Sequence, residues 1–172
     1  KKSGKILDET KRESYNRGKG RNPKEKRTMN ILVSACLLGV SCRYDGTGCL
    51  LPELEELKKK HHLIPVCPEV YGGLTTPRPP AEIRDGWVVN REGEDVTLQY
   101  EKGAREVLKL AYLFDCKAAV LKERSPACGH GRIHNGRFDG GMTEGNGILA
   151  RLLIEEGIAV LGETETEKIK EL

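Results

Sequence analysis

Four short, almost uninterrupted apolar runs, Ile31 to Ala35, Leu63 to Val66, Ala118 to Leu121 and Ile158 to Leu161, are separated by amphipathic stretches of helical period. Strands that are apolar on both sides need cover on both faces, and helical crossovers between parallel strands supply it. The alternation therefore predicts an α/β chain: a three-layer, Rossmann-like domain whose mainly parallel sheet has about four core strands. Helices are expected near residues 51–60, 98–114 and 147–156. In the first of these Leu51, Leu54 and Leu57 share one face, with glutamates early and lysines late, as the helix dipole favours.

Two stretches interrupt this order. Residues 71–83 (YGGLTTPRPPAEI) hold two glycines and three prolines, so an irregular loop with a largely fixed backbone is expected. In the second, Ser125 to Gly147, Asn135-Gly136 reads as a tight turn between Ile133 and Phe138, a small β-hairpin excursion from the sheet. Loops of this length within a compact domain usually carry function.

Charge divides the chain in two. Residues 1–29 carry a net charge of +7 and residues 30–172 one of −4. The segment 1–28 is poor in apolar residues and lacks a sustained period, so it is expected to be a flexible basic extension, with a single domain at 29–172. Nothing in the sequence approaches the roughly 20 apolar residues of a membrane span, and no signal-peptide core follows the basic start, which predicts a cytoplasmic protein. Aromatic residues make up 5% and the body is acidic, so nucleic-acid binding, which relies on stacking and cationic surface, is not expected. The sequence does not speak to oligomeric state.

Cys36 directly follows the first apolar run, Cys67 directly follows the second, and Cys128 lies seven residues past the third. In a parallel sheet all carboxyl ends share one edge, so these three thiols are placed to meet. A reducing compartment disfavours disulfides, and the absence of C-x(2–4)-C pairs disfavours structural zinc. An iron-sulfur cluster needs no such local repeat, but spacing alone supports it only weakly. Cys42 and Cys49 lie in the loop after the first strand and are read as free thiols. Cys116, at the opposite edge, reads as a small buried apolar residue. His61 and His62, beside lysines, are expected to be solvated, and the amides of Gly145-Asn-Gly147 are a weak candidate anion site.

The runs Ser34-Ala-Cys-Leu-Leu-Gly39, Cys42-Arg-Tyr-Asp-Gly46, Pro65-Val-Cys-Pro-Glu69, Gly72-Gly-Leu74, Thr76-Pro-Arg-Pro-Pro-Ala-Glu-Ile83 and Leu121-Lys-Glu-Arg-Ser-Pro-Ala-Cys-Gly129 resemble, in this order, those of the thiouracil desulfidase family. The resemblance spans about residues 30–162. It implies a [4Fe-4S] cluster bound by Cys36, Cys67 and Cys128 with one iron open, and removal of sulfur from 2-thiouracil or a related small thiolated pyrimidine. It also implies catalytic roles for Glu69 and Ser125. Two departures are evident: Ala127 stands where the family commonly has Ser, and Ile148-Leu149 where a Val-Thr pair is common.

The residue types agree with that chemistry. A soft thione sulfur suits an open iron, and Glu69 is a candidate base for the attacking water, with Lys122 or Arg124 as expected cationic neighbours. Arg43, Asp45 and Arg78 are candidate substrate-binding residues, each with internal ion pairing as the competing role. Two other functions stand beside this one: a non-enzymatic sulfur or iron-sulfur carrier, and a binder of thiolated RNA that uses the basic extension.

Overall fold

The computed structural model describes residues 28–172; all but the last position of the expected basic extension lies outside the described residues. Four parallel strands, β1 (Asn30–Ser34), β2 (His62–Val66), β5 (Ala118–Leu121) and β8 (Ala159–Gly162), form one sheet in the order β2-β1-β5-β8. The chain passes from β1 to β2 on one side and later returns to β5 on the other. The order therefore reverses beside β1, and the carboxyl ends of β1 and β5 flank a topological switch point, where open α/β sheets bind ligands.

Side-chain alternation along the strands sorts the core into two layers. Ile31, Val33, Ala118 and Val120 face α1 (Glu53–Lys60) and α5 (Thr166–Glu171), packing with Leu54, Leu57 and Ile169. Leu32, Ala119, Leu121 and Val160 face the long helix α3 (Thr97–Leu113) and α4 (Ile148–Glu155). The i, i+3, i+4 stripe of Tyr100, Ala104, Val107, Leu108 and Ala111 seals α3 to the sheet. Full burial of each large aliphatic side chain here contributes on the order of 1.5–3 kcal/mol. In α1, Glu55 and Glu56 pair with Lys58 and Lys59 at 2.6 Å, on the solvent side of a helix that buries Leu54 and Leu57. The three-layer α/β arrangement is the one expected. Among the described residues no helix is long and apolar enough to cross a membrane.

Several local expectations need correction. The proline-rich stretch is not irregular throughout. It begins at the end of a one-turn helix, α2 (Pro68–Tyr71), and ends in β3 (Ala81–Arg84), which pairs antiparallel with β4 (Trp87–Asn90). The turn of that hairpin is Asp85-Gly86, both at positive φ (51° and 86°), a two-residue geometry that this dipeptide favours. The second hairpin, β6 (Arg132–His134) with β7 (Met142–Glu144), is wider than Asn135-Gly136 suggests. Asn135 N donates to Gly141 O at 3.1 Å, so the loop closes across seven residues and Phe138 lies in it rather than in a strand. The cause is a cluster of loop-stabilising contacts: Asp139 accepts from Asn135 Nδ2 and Gly141 N, and Glu82 from Phe138 N. His61 is buried, its Nδ1 accepting from Met29 N, because the end of α1 tucks against the start of β1; His62 is exposed.

Candidate metal centre

Cys36 sits in a 3-10 turn, Ala35–Leu38, immediately after β1, and the following loop folds back so that Cys49 N donates to Cys36 O at 2.8 Å. Cys67 precedes Pro68, whose fixed φ suits the first position of a helix, and Tyr71 N returns to Cys67 O at 3.0 Å. Cys128 ends a tight turn after β5, in which Ser125 Oγ accepts from Ala127 N at 3.0 Å and from Cys128 N at 3.2 Å. Arg124, just before that turn, is held at φ 66°, a conformation rarely adopted by a non-glycine residue and costing roughly 1–3 kcal/mol. The thiols at the ends of β2, β1 and β5 are thus carried by three adjacent strands.

The three thiols act electrostatically on one another. Burial pushes Cys36 up to about 11, and the neighbouring Cys67 adds to the effect. Burial likewise raises Cys128 well above its ordinary value, against a hydrogen bond from Ser34 that favours the thiolate; Glu69, Cys36 and Cys67 raise it further. Cys36 and Cys128 are buried, whereas Cys67 is half-buried. All six cysteines are free. Cys42 is not a loose loop thiol: it is buried beside Cys67 and Cys36, and burial together with these neighbours raises it to about 12. Cys116 is buried at the far edge, as expected.

Glu69 follows Cys67 by two residues. Its carboxylate accepts from Arg78 Nε at 2.7 Å and is hydrogen-bonded by the buried Tyr100 hydroxyl from α3. Burial disfavours the Arg78 charge, but the adjacent Glu69 more than compensates, so the guanidinium is held above its ordinary value. The cation beside Glu69 is Arg78, and neither Lys122 nor Arg124: Lys122 pairs with Glu163, and Arg124 is exposed. Four of the five Arg78 N–H donors are committed within the protein, to Glu69 Oε2, Thr75 O, Thr76 Oγ1 and Cys42 O. Arg43 and Asp45 form an ion pair at 3.2 Å on the loop after β1, with Asp45 also accepting from Thr47 N and Oγ1. The amides of Gly147, Ile148 and Leu149 donate to Gly129 O, Pro126 O and Ala127 O, so the weak anion site suggested by the Gly-Asn-Gly run is already filled by backbone.

Sequence reasoning assigned no role to Ser34, although it opens one of the motifs, or to Tyr100, which looks like one more residue in a helical apolar stripe. Both are placed at the site by long-range packing. A β-carbon at Gly103 would lie 1.7 Å from Pro68 O, so α3 crosses directly over the residue after Cys67; Tyr100, one turn earlier on the same face, therefore reaches Glu69. A cavity of about 700 Å³ lies against the segments on either side of Ser125 to Cys128, lined by Glu123, Arg124, His130, Arg132, Met142 and Glu165.

Together these features define a class: an α/β protein that gathers three thiols and a braced carboxylate at the switch point of a parallel sheet. The chain belongs to the 2-thiouracil desulfurase family, whose model matches residues 31–165. It is 40% identical over 149 residues to the uncharacterized protein YbbK of Bacillus subtilis (strain 168), with 81% of this chain and 99% of that one covered. It is similar in structure to a protein described as the [4Fe-4S]-dependent thiouracil desulfidase TudS, with a TM-score of 0.76 and 42% sequence identity over 83% of this chain and 95% of that one.

The donor set fits such a cluster. Among the described residues no three His, Cys, Asp or Glu side chains converge as they would on a single metal ion. A cubane presents its irons at separate corners, so three neighbouring thiols from three strand ends suit it without meeting at one point. Iron would also reverse the preference of the buried Cys36 and Cys128 thiols for the neutral form, since a coordinating thiol is deprotonated outright.

Proposed function

We propose that this protein removes sulfur from a small thiolated pyrimidine, 2-thiouracil or a close relative, with a [4Fe-4S] cluster held by Cys36, Cys67 and Cys128. The observation that carries this reading is that those thiols stand at the ends of the adjacent strands β1, β2 and β5, near enough to act on one another's charge, with Glu69 fixed two residues beyond one of them. Bound there, the cluster supplies an iron with an open coordination position, a partner for a soft thione sulfur.

The chain's own residues do the remainder. Glu69, gripped by Arg78 and Tyr100, is oriented to take a proton from the water that attacks the ring carbon. Arg78 acts through Glu69 as a positioning residue, its other donors tying the proline-rich loop to Cys42. Ser125 uses its oxygen to accept two backbone amides, which leaves its hydroxyl proton for the ring or the water. Arg43 and Asp45, on the loop after β1, orient the substrate at the rim. The half-buried Cys67 marks the side from which substrate enters. A cytoplasmic setting, where thiols stay reduced, is the one this reading calls for.

The test is turnover. Anaerobically reconstituted protein mixed with 2-thiouracil is expected to consume the thione absorbance over many equivalents. Consumption that stops near one equivalent supports the sulfur-carrier function instead, and salt-dependent RNA binding lost on deletion of residues 1–28 supports the thiolated-RNA reading.

A further inference from the structure

Glu82 is a buried carboxylate, 7% exposed, on the β3–β4 hairpin, which begins three residues after Arg78. Burying a carboxylate is costly unless it is hydrogen-bonded or paired. Strand alternation puts Glu82 and Arg84 on one face of β3, and Ile83, opposite the core residue Val88, on the other. The Glu82–Arg84 face is covered by the 135–141 loop of the β6–β7 hairpin, which begins four residues after Cys128. Glu82 Oε2 accepts from Phe138 N at 3.0 Å, Arg84 Nε donates to Gly136 O at 2.8 Å, and the guanidinium groups of Arg84 and Arg91 lie 5.9 and 5.6 Å from the Phe138 ring. A β-carbon at Gly136 would stand 2.6 Å from Ile83 O, and Phe138 is held at φ 57°. A residue other than glycine keeps such a backbone only where its surroundings over-determine it.

Each hairpin is also fastened to one side of the metal centre. Ile133 of β6, 5% exposed, is seated on the turn that carries Cys128: it bridges to Arg124, and a β-carbon at Gly129 would stand 2.6 Å from Ile133 Cγ2. β3 is joined to Arg78 through Pro79 and Pro80, whose fixed φ angles make the link stiff, and Pro80 O accepts from Arg91 N at 2.9 Å. A path of contacts thus runs from the Cys128 turn through Ile133, the 135–141 loop and Glu82 to Arg78 and Glu69, without passing through the sheet. We propose that Glu82 is a positioning residue: by latching the two hairpins together it holds the Arg78–Glu69 side of the metal centre against the Cys128 turn, and so sets how far the carboxylate stands from the thiols. The inference rests on the reading that Glu69 and Cys128 serve one ligand. Cys67 and Cys128 follow strands that have β1 between them, and sheet hydrogen bonds stop at the strand ends, so the hairpins supply a tie that the sheet does not. A carboxylate accepting from a backbone N–H makes a charge-assisted bond, which suits Glu82 to be the latch.

Hydrogen–deuterium exchange, read by mass spectrometry on anaerobically reconstituted full-length protein, tests this. In Glu82→Ala the amides of residues 126–133 and 69–78 are expected to exchange about 10-fold faster than in wild type, the scale of one lost hydrogen bond to a charged group, while those of β1 keep their rate. Glu82→Gln, which keeps an acceptor oxygen for Phe138 N, is expected to restore the wild-type pattern. Faster exchange confined to residues 135–141 marks a local loop contact and overturns the proposal. Acceleration of equal size in β1 marks a general loss of stability and overturns it too. If Glu82→Ala fails to fold, Phe138→Ala, which removes the ring beside Arg84 and Arg91, is expected to speed exchange at 126–133, and a wild-type rate there overturns the proposal equally. Iron and sulfide content of the same wild-type preparation reads the cluster separately: their absence overturns the cluster reading, whereas the exchange pattern still decides the role of Glu82.

Discussion

Arg78 Nε donates to Glu69 Oε2 at 2.7 Å, with the two side chains 5% and 15% exposed, and so joins the proline-rich loop to the residue two positions past Cys67. A charge pair this enclosed resists the loss of one partner more than it contributes as a pair, because the survivor is left buried and uncompensated. Arg78→Met is therefore expected to destabilise the apoprotein by about 3 kcal/mol, near the low end for a buried pair since Glu69 retains some access to water. Urea unfolding measures it, and a loss under about 1 kcal/mol identifies the pair as screened by solvent.

Glu69→Gln keeps the shape and an acceptor oxygen for Arg78, so the fold and the cluster content are expected to survive. Turnover of 2-thiouracil is expected to fall by at least ~100-fold, the lower range for loss of a general base. A variant with intact cluster absorbance and an undiminished rate rejects the base assignment.

Cys42 lies beside Cys67 and Cys36 yet is not assigned as a ligand. Cys42→Ala is expected to bind wild-type amounts of iron and sulfide, whereas alanine at 36, 67 or 128 lowers both. Iron loss in Cys42→Ala equal to that in the other three would redraw the ligand set.

Gly103 is required by the crossing of α3 over Pro68, where a β-carbon would stand 1.7 Å from a carbonyl oxygen. Gly103→Ala is expected to destabilise the protein by roughly 1–3 kcal/mol, lowering the unfolding midpoint by about 2–4 °C per kcal/mol. Turnover is expected to fall too, because the shift of α3 carries Tyr100 away from Glu69. An unchanged midpoint would mean that the two segments separate without cost.

Burial, with the Asp115 charge beside it, pushes the Cys116 thiol from 9.0 up to about 11. The folded chain therefore keeps this proton after the unfolded chain has lost it. The associated stability is complete below pH 9.0 and is lost as the pH rises toward 11. Cys116 lies away from the metal centre, so the apoprotein of Cys116→Ala is expected to show a shallower alkaline decline than wild type in denaturant titrations across that range. Parallel declines would assign the alkaline loss elsewhere.

Much of the molecule was legible in the linear chain. Near-continuous apolar runs announced four doubly covered strands, and cysteines placed just past three of them announced a shared edge, because both signals depend only on local residue type and position. The Asp85-Gly86 hairpin was legible in principle, but proline-rich sequence on its amino-terminal side masked it. The wider β6–β7 loop was not, since Glu82 from a different hairpin helps to close it.

The sequence by itself determined the fold class, the family and the placing of three thiols at adjacent strand ends, because period, spacing and motif order are written along the chain. Tertiary structure alone decided the strand order that places the switch point between β1 and β5. It also made Arg78, rather than Lys122 or Arg124, the cation on Glu69, and brought Tyr100 and Ser34 to the site. The physical reason is the same in each case: these contacts join residues separated by 9 to 94 positions, and only packing around a shared core sets which of many chemically equivalent partners comes within hydrogen-bond reach.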